Sequence, residues 1–112
     1  MFKRMGRVIT EVDEGFLVRI LERTGIAYSE GNRTVHVESD ILFSGPFRYV
    51  VYEDSIKKWD FPHSNESIVE ETRKRIINNI RRAFAWQGLA IAVKPFKNSQ
   101  PSLTRWSAGV RL

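Results

Sequence analysis

The sequence predicts a small single α+β domain in which an antiparallel meander of about five β-strands packs against one long amphipathic helix. The first half contains short apolar runs, rich in β-branched and aromatic residues, between clusters of Gly, Asn, Ser and Pro. Residues 68–87 instead carry apolar side chains at helical spacing. A chain of 112 residues with 42% hydrophobic residues has the length and composition of one globular domain.

The strands of the meander are separated by turn sequences. The run FLVRILER also fits a helix, but its eight residues lie between glycines, which favours a strand. Asp40–Phe43 fits either a short helical turn or an irregular crossing, and the sequence does not decide between them. The predicted turns are Asp13-Glu14-Gly15, Thr24-Gly25, Ser29-Glu30-Gly31-Asn32 and Ser44-Gly45-Pro46.

The helix has a recognisable start and end. Ser67 followed by Glu70 three residues later predicts a capping box, and Gly88 predicts the C-terminal stop. At 100° per residue an apolar arc should pack on the sheet, with a basic arc facing water. The apolar arc contains Val69, Ile76, Ile77, Ile80, Ala83 and Phe84, and the basic arc contains Lys74, Arg75, Asn78, Arg81 and Arg82.

The end of the chain divides into two parts. Leu89–Val93 predicts a buried strand that returns to the sheet. From Pro95 onward the sequence has no period and two polar clusters, which predicts an extended tail. We therefore expect one domain at residues 1–94 and a tail at residues 95–112. An open edge of the sheet would permit a homo-oligomer.

The net charge of +5 is concentrated in the helix and the tail. Residues 67–88 carry five basic and two acidic groups, and residues 89–112 carry four basic groups and no acidic one. This asymmetry is typical of a solvated helix face with a basic tail, and it also fits a nucleic-acid-binding module that uses helix 68–87 and the tail. In that alternative the contacts come from Lys74, Asn78, Arg81 and Arg82.

The residues with catalytic potential are few. The chain has no cysteine, two histidines and no glycine-rich phosphate loop, so we expect no enzyme activity, no cofactor and no metal. A hydrolase or isomerase that uses His63 with Asp60 is a weaker alternative. No apolar run approaches a membrane span of about 18 residues, and the N-terminus lacks an apolar signal segment. We expect a cytoplasmic protein.

The segment YEDSIKKWDFPH, residues 52–63, resembles the core signature of the immunity protein 74 family of bacterial polymorphic toxin systems. The helix that ends near Ile76–Ile80 and the apolar strand after Gly88 extend the resemblance over residues 7–94. It implies an α+β protein without a catalytic role. The implied partner is a cognate toxin C-terminal domain, encoded adjacent to this chain, which the protein binds and neutralises to protect the producing cell.

Two interpretations of the signature remain open. In the structural one, Trp59 fills the corner between sheet and helix, Pro62 stiffens the entry to the helix, and Ile56 with Phe61 staples the corner. In the functional one, the resemblance implies that exposed signature residues face the toxin. These are Asp54, Lys58, Asp60 and His63. Many immunity proteins against nucleases are acidic, so the basic character of this chain argues against a nuclease partner or confines the contact to an acidic patch.

Overall fold

The computed structural model describes residues 1–21 and 25–95 of the chain. Within these ranges it contains eight strands, one α-helix, α1 (Glu70–Trp86), and one 3₁₀ turn (Glu53–Ser55). The predicted α+β class is therefore confirmed. Thr24 of the second predicted turn and the predicted tail beyond Pro95 lie outside the described residues.

The first sheet is a five-stranded antiparallel meander, as predicted, but its strands differ from the predicted set. The run after Ser44-Gly45-Pro46 belongs to a second sheet, and an N-terminal strand that was not predicted takes its place. Each strand pairs antiparallel with the next, so the order in space is the order in the chain. Glu30 pairs with Arg33, which leaves Gly31 and Asn32 as a two-residue loop in which Gly31 has a φ of +62°. The strands are β1 (Phe2–Met5), β2 (Val8–Glu11), β3 (Phe16–Leu21), β4 (Gly25–Glu30) and β5 (Arg33–Val37).

A second sheet of three strands follows, and the sequence did not predict it as a separate unit. It consists of β6 (Ser39–Ile41), β7 (Tyr49–Tyr52) and β8 (Ile91–Lys94). Strands β6 and β7 form an antiparallel hairpin. Asp40 and Ile41 therefore lie in a strand, and neither predicted alternative for Asp40–Phe43, a helical turn or an irregular crossing, describes this segment. Strand β8 pairs parallel with β7, with α1 in the connection between them. The final strand therefore joins the second sheet, and the expectation that it returns to the meander is wrong.

The helix packs its apolar arc, except for Val69, against one face of the meander and the second sheet. Val69 is 62% exposed, so its predicted place on the packed face is wrong. Ile76, Ile80 and Phe84 are fully buried, and the Phe84 ring stacks on Tyr49 of β7 with 5.0 Å between ring centroids. One hydrophobic cluster connects these side chains to both sheets. Val18 of β3 is fully buried on this face, whereas its neighbour Arg19 is exposed on the opposite face.

The helix starts later than its sequence predicts. Val69 is the N-cap residue and provides no side-chain hydrogen bond, so the predicted capping box from Ser67 is wrong. Ser67 instead pairs with Lys58 in a β-bridge, and the Ile68 amide donates to the Lys57 carbonyl at 2.8 Å. Because these contacts hold residues 67 and 68 in an extended conformation, the helix begins only at Glu70.

The helix end is where the sequence predicts it. Gly88 has a φ of +79°, which suits a residue without a Cβ. The Leu89 amide donates to the Phe84 carbonyl at 3.0 Å, and the Gly88 amide donates to the Ala85 carbonyl at 2.9 Å. This pair of hydrogen bonds is the Schellman motif, which satisfies the last carbonyls of the helix.

Candidate partner-binding surfaces

The loop before the helix, residues 57–69, has two arms that are joined at its base, and we call it the signature loop. The bridge between Lys58 and Ser67 joins its two arms, and the Trp59 amide donates to the Glu66 carbonyl at 3.3 Å. Trp59 and Ile68 are both 6% exposed and belong to the core. The structural interpretation of Trp59 is therefore confirmed.

The tip of the signature loop turns away from the core. The Asp60 amide donates to the Thr34 carbonyl of β5 at 2.7 Å, and the His63 amide donates back to the Asp60 carbonyl at 2.9 Å. The Phe61–Pro62 peptide bond within this turn is cis. Phe61 is 89% exposed, so the expected staple with buried Ile56 is wrong. Trp59 and Ile68 already fill the corner, and the turn directs Phe61 towards solvent.

Three of the four residues predicted to face a partner lie on the signature loop. Lys58 and Asp60 are exposed and His63 is half-buried. Asp54 is half-buried in the 3₁₀ turn before this loop, where its amide donates to the Pro95 carbonyl at 3.0 Å. The structure thus places Lys58, Asp60 and His63 on the same loop as Phe61 and places Asp54 on a different segment.

An ion-pair cluster fixes the inner side of the signature loop. Arg33 of β5 donates to both carboxylate oxygens of Glu66, at 2.7 and 3.1 Å. The Nδ1 atom of His63 lies 3.3 Å from Oε2 of the same carboxylate. The hydrogen bond from Arg33 is the main cause that lowers the pKa of Glu66, with smaller contributions from the charges of Arg33 and His63. This geometry gives His63 a loop-stabilising contact, and no group of potential metal ligands occurs among the described residues.

The basic arc of the helix is largely occupied by ion pairs. Lys74 lies 3.5 Å from Glu70, and Arg82 donates to Glu14 of the β2–β3 turn at 2.6 and 2.9 Å. Arg81 and Asn78 are exposed. Arg75 pairs with Glu30 at 2.5 Å, so carboxylates lie beside three of the four cations of the arc and reduce the local positive potential. This weakens the electrostatic argument for a nucleic-acid track.

A buried polar network beneath the helix was not predicted. Asn79 is 7% exposed, and its Nδ2 donates to the Tyr28 hydroxyl at 2.8 Å. That hydroxyl donates to Glu30 at 2.7 Å, and Glu30 also accepts from Arg75 at 2.5 Å. Burial, which outweighs the opposing hydrogen bond from Asn79, raises the pKa of Tyr28. The available sequence signal was the position of Asn79 three residues after Ile76, at the border of the apolar arc.

The β6–β7 hairpin carries a second exposed aromatic group. Phe43 is 94% exposed and Phe47 is 42% exposed, one at each end of the loop that joins the two strands. The sequence identified only the turn Ser44-Gly45-Pro46 between them. The sequence signal for this group was the position of two phenylalanines on either side of a turn. Turns lie at the surface, so apolar side chains there seldom pack in the core.

Comparison with known families supports the sequence resemblance. The sequence model of the immunity protein 74 family matches residues 18–94, which begin within β3 and run to the end of β8, and so contain the signature loop and the helix. Searches of curated proteins and of solved structures found no significant match. Among the described residues no helix has the length and apolar character needed to cross a membrane.

Proposed function

Because this chain belongs to the immunity protein 74 family, we propose that it protects the cell that makes it by binding a cognate toxin domain. The observation that carries the proposal is the family match, which includes the helix, the second sheet and the meander from within β3 onward. Neutralisation is stoichiometric: the protein occupies the toxin's active site or a surface that the toxin needs for its substrate. It acts in the cytoplasm, without turnover, and its toxin is encoded adjacent to it.

The signature loop supports this proposal with a suitable contact surface. Interfaces commonly derive most of their binding free energy from a few buried aromatic or arginine side chains, surrounded by polar residues that exclude water. Phe61 is an exposed aromatic side chain on a loop whose base is fixed by Trp59 and Ile68. Lys58 and Asp60 on the same loop add one charge of each sign, which would fix the orientation of the partner, and His63 lies beside them in the sequence.

Co-expression tests the proposed function. The toxin is the C-terminal domain of the polypeptide encoded immediately upstream of this chain, produced from an inducible promoter in bacteria. We expect growth to stop when this domain is induced alone and to recover when the present protein is co-expressed. Isothermal titration calorimetry should then give a one-to-one complex. A toxic domain that the protein neither binds nor neutralises contradicts the proposal.

Substitutions in the signature loop test the contact surface. The double variant Lys58→Glu/Phe61→Ser should weaken binding by about 30-fold or more, because it removes the anchor and reverses a neighbouring charge. The matched control is Lys3→Glu/Val12→Ser, which makes the same kinds of change at exposed positions on β1 and in the β2–β3 turn. Equal binding by both double variants would exclude the signature loop from the interface.

A further inference from the structure

We propose that the toxin domain is also held by a second surface, at the opposite end of the helix, through an apolar pocket with an acidic rim on the toxin. We call it the aromatic hairpin surface and define it as Phe43, Phe47, Arg48, Trp86 and Arg4. This inference rests on the proposed function and adds to it the chemistry of the partner. The family signature at residues 52–63 contains none of these residues.

The hairpin presents its aromatic side chains on a fixed base. Ile41 pairs with Tyr49, and the Leu42 amide donates to the Arg48 carbonyl at 2.8 Å, which closes the loop at residues 43–47. The Arg48 amide donates to the Ala90 carbonyl at 2.9 Å and ties the hairpin to the segment before β8. A preorganised loop loses little conformational entropy when it binds, which favours affinity.

The exposure of the hairpin is unusual for apolar side chains of this size. Phe43 is 94% exposed, Phe47 is 42% exposed and neighbouring Ile41 is 45% exposed. Large apolar side chains that cluster at the surface mark sites of protein contact more often than scattered single ones do. None of the three contributes to the core cluster, so their apolar character is explained by a partner and not by folding.

The aromatic hairpin surface continues onto the end of the helix. A cleft of about 240 Å³ lies under the hairpin loop, and a cleft of about 570 Å³ lies between β1 and the helix end. Arg48 and Leu89 line both clefts, which makes them one continuous surface. Trp86, 48% exposed and stacked on Phe2 with 5.8 Å between ring centroids, forms its far side.

The charge of this surface indicates an acidic partner. Among the described residues, Arg4 and Arg48 line the two clefts and no carboxylate residue does. The signature loop, in contrast, mixes Lys58 with Asp60. Two arginines neutralise few phosphates, so they contribute little to the electrostatic binding of a nucleic acid. Aromatic anchors with a small positive rim instead fit an apolar pocket bordered by Asp or Glu on a protein.

Binding measurements with the upstream-encoded toxin domain test this inference. The double variant Phe43→Ser/Phe47→Ser should raise the Kd by about 30-fold or more. Arg48→Glu should raise it by about 10-fold and slow association, most strongly at low salt. Val12→Ser and Arg19→Glu are the matched controls, since both residues are exposed and lie outside the surface. Their Kd should equal that of the wild type.

The outcomes separate this inference from the proposed function. A wild type that neither binds nor neutralises the toxin overturns both. A wild type that binds, with hairpin variants that bind equally well, overturns the inference alone. Circular dichroism should show the same unfolding midpoint for every variant, because the substituted side chains lie outside the core. A wild type that binds a single-stranded oligonucleotide in preference to the toxin, and that loses this binding in Arg48→Glu, contradicts the proposal of an acidic protein partner.

Discussion

Asn79 shows how one buried amide can fix the position of a helix. Its hydrogen bond to the Tyr28 hydroxyl connects α1 to β4, and the same hydroxyl donates onward to Glu30. The three groups satisfy one another where water has little access. Helical periodicity alone cannot identify such a contact, because the partner on β4 lies 51 positions away in the sequence.

Removing the Tyr28 hydroxyl should therefore destabilise the protein. In Tyr28→Phe the Asn79 amide loses its acceptor in a buried position, which typically costs about 1–3 kcal/mol. Tyr52→Phe is the matched control: its hydroxyl donates at 2.7 Å to Asp40, whose exposed carboxylate water can solvate. The free energy of unfolding, measured in urea, should fall more in Tyr28→Phe. Equal losses would show that the Asn79 contact contributes nothing specific.

The titration of Tyr52 should make the free energy of unfolding depend on pH in the alkaline range. Burial, together with the nearby Asp40 carboxylate, raises its pKa from 10.0 to about 12. The folded state thus binds this proton more tightly than the unfolded state does. Its contribution to stability is fully present below about pH 10 and is lost as the pH rises towards about 12.

Urea unfolding across that window tests this prediction. The wild type should lose stability with pH, by up to about 1.4 kcal/mol per pH unit for each such tyrosine. Tyr52→Phe should show a shallower decline between about pH 10 and pH 12, because one of the titrating groups is gone. Parallel profiles for the two proteins would mean that the phenol has the same pKa in both states.

The elements of this fold differ in how far local sequence determines them. Strands β2 to β5 were predictable, because each contains β-branched side chains and turn residues separate them. Strand β1 was not, because its sequence FKRM contains no β-branched residue. The second sheet was not, because β7 and β8 are separated by the signature loop and the whole helix. Pairing over such a distance depends on packing against Tyr49 and Phe84, which no local pattern records.

At the start of the helix, the local sequence favours Ser67 as the N-cap, but tertiary contacts of Ser67 move the N-cap to Val69. Substitutions at both positions test this difference. Val69 occupies the N-cap position, is 62% exposed and makes no side-chain cap hydrogen bond. Val69→Asp should stabilise the protein by about 1 kcal/mol, because the carboxylate can accept from the free amides of the first turn and lies at the positive end of the helix dipole. Unfolding in urea measures the change.

The control for this prediction is Ser67, which the sequence predicts as the N-cap residue. Ser67 is exposed and held in the bridge to Lys58, so Ser67→Ala should change the stability by less than about 0.5 kcal/mol. If Ser67→Ala instead costs about 1 kcal/mol and Val69→Asp brings no gain, the helix is capped by Ser67 in solution.

At the scale of the whole molecule, one hydrophobic cluster joins all the parts. It runs from Ile9 of β2 to Ile91 of β8 and includes both sheets, the helix and the anchored side chains of the signature loop. The two candidate surfaces lie near opposite ends of a 17-residue helix, which spans about 25 Å. A partner that contacts both would have to reach over about this distance. The sequence identified the first surface through its family signature, but not the second, since exposure of Phe43 and Phe47 follows from the long-range pairing of the second sheet.

The extent of this cluster gives a prediction for the domain boundary. A chain that ends after Pro95 keeps every core residue that the structure describes, as well as the Pro95 carbonyl that accepts from the Asp54 amide. We expect its free energy of unfolding to stay within about 0.5 kcal/mol of the full-length value. Toxin binding should be retained as well, because both candidate surfaces precede residue 95. A shortened chain that folds normally but loses toxin binding would place part of the interface in residues 96–112, and one that unfolds would extend the domain beyond residue 94.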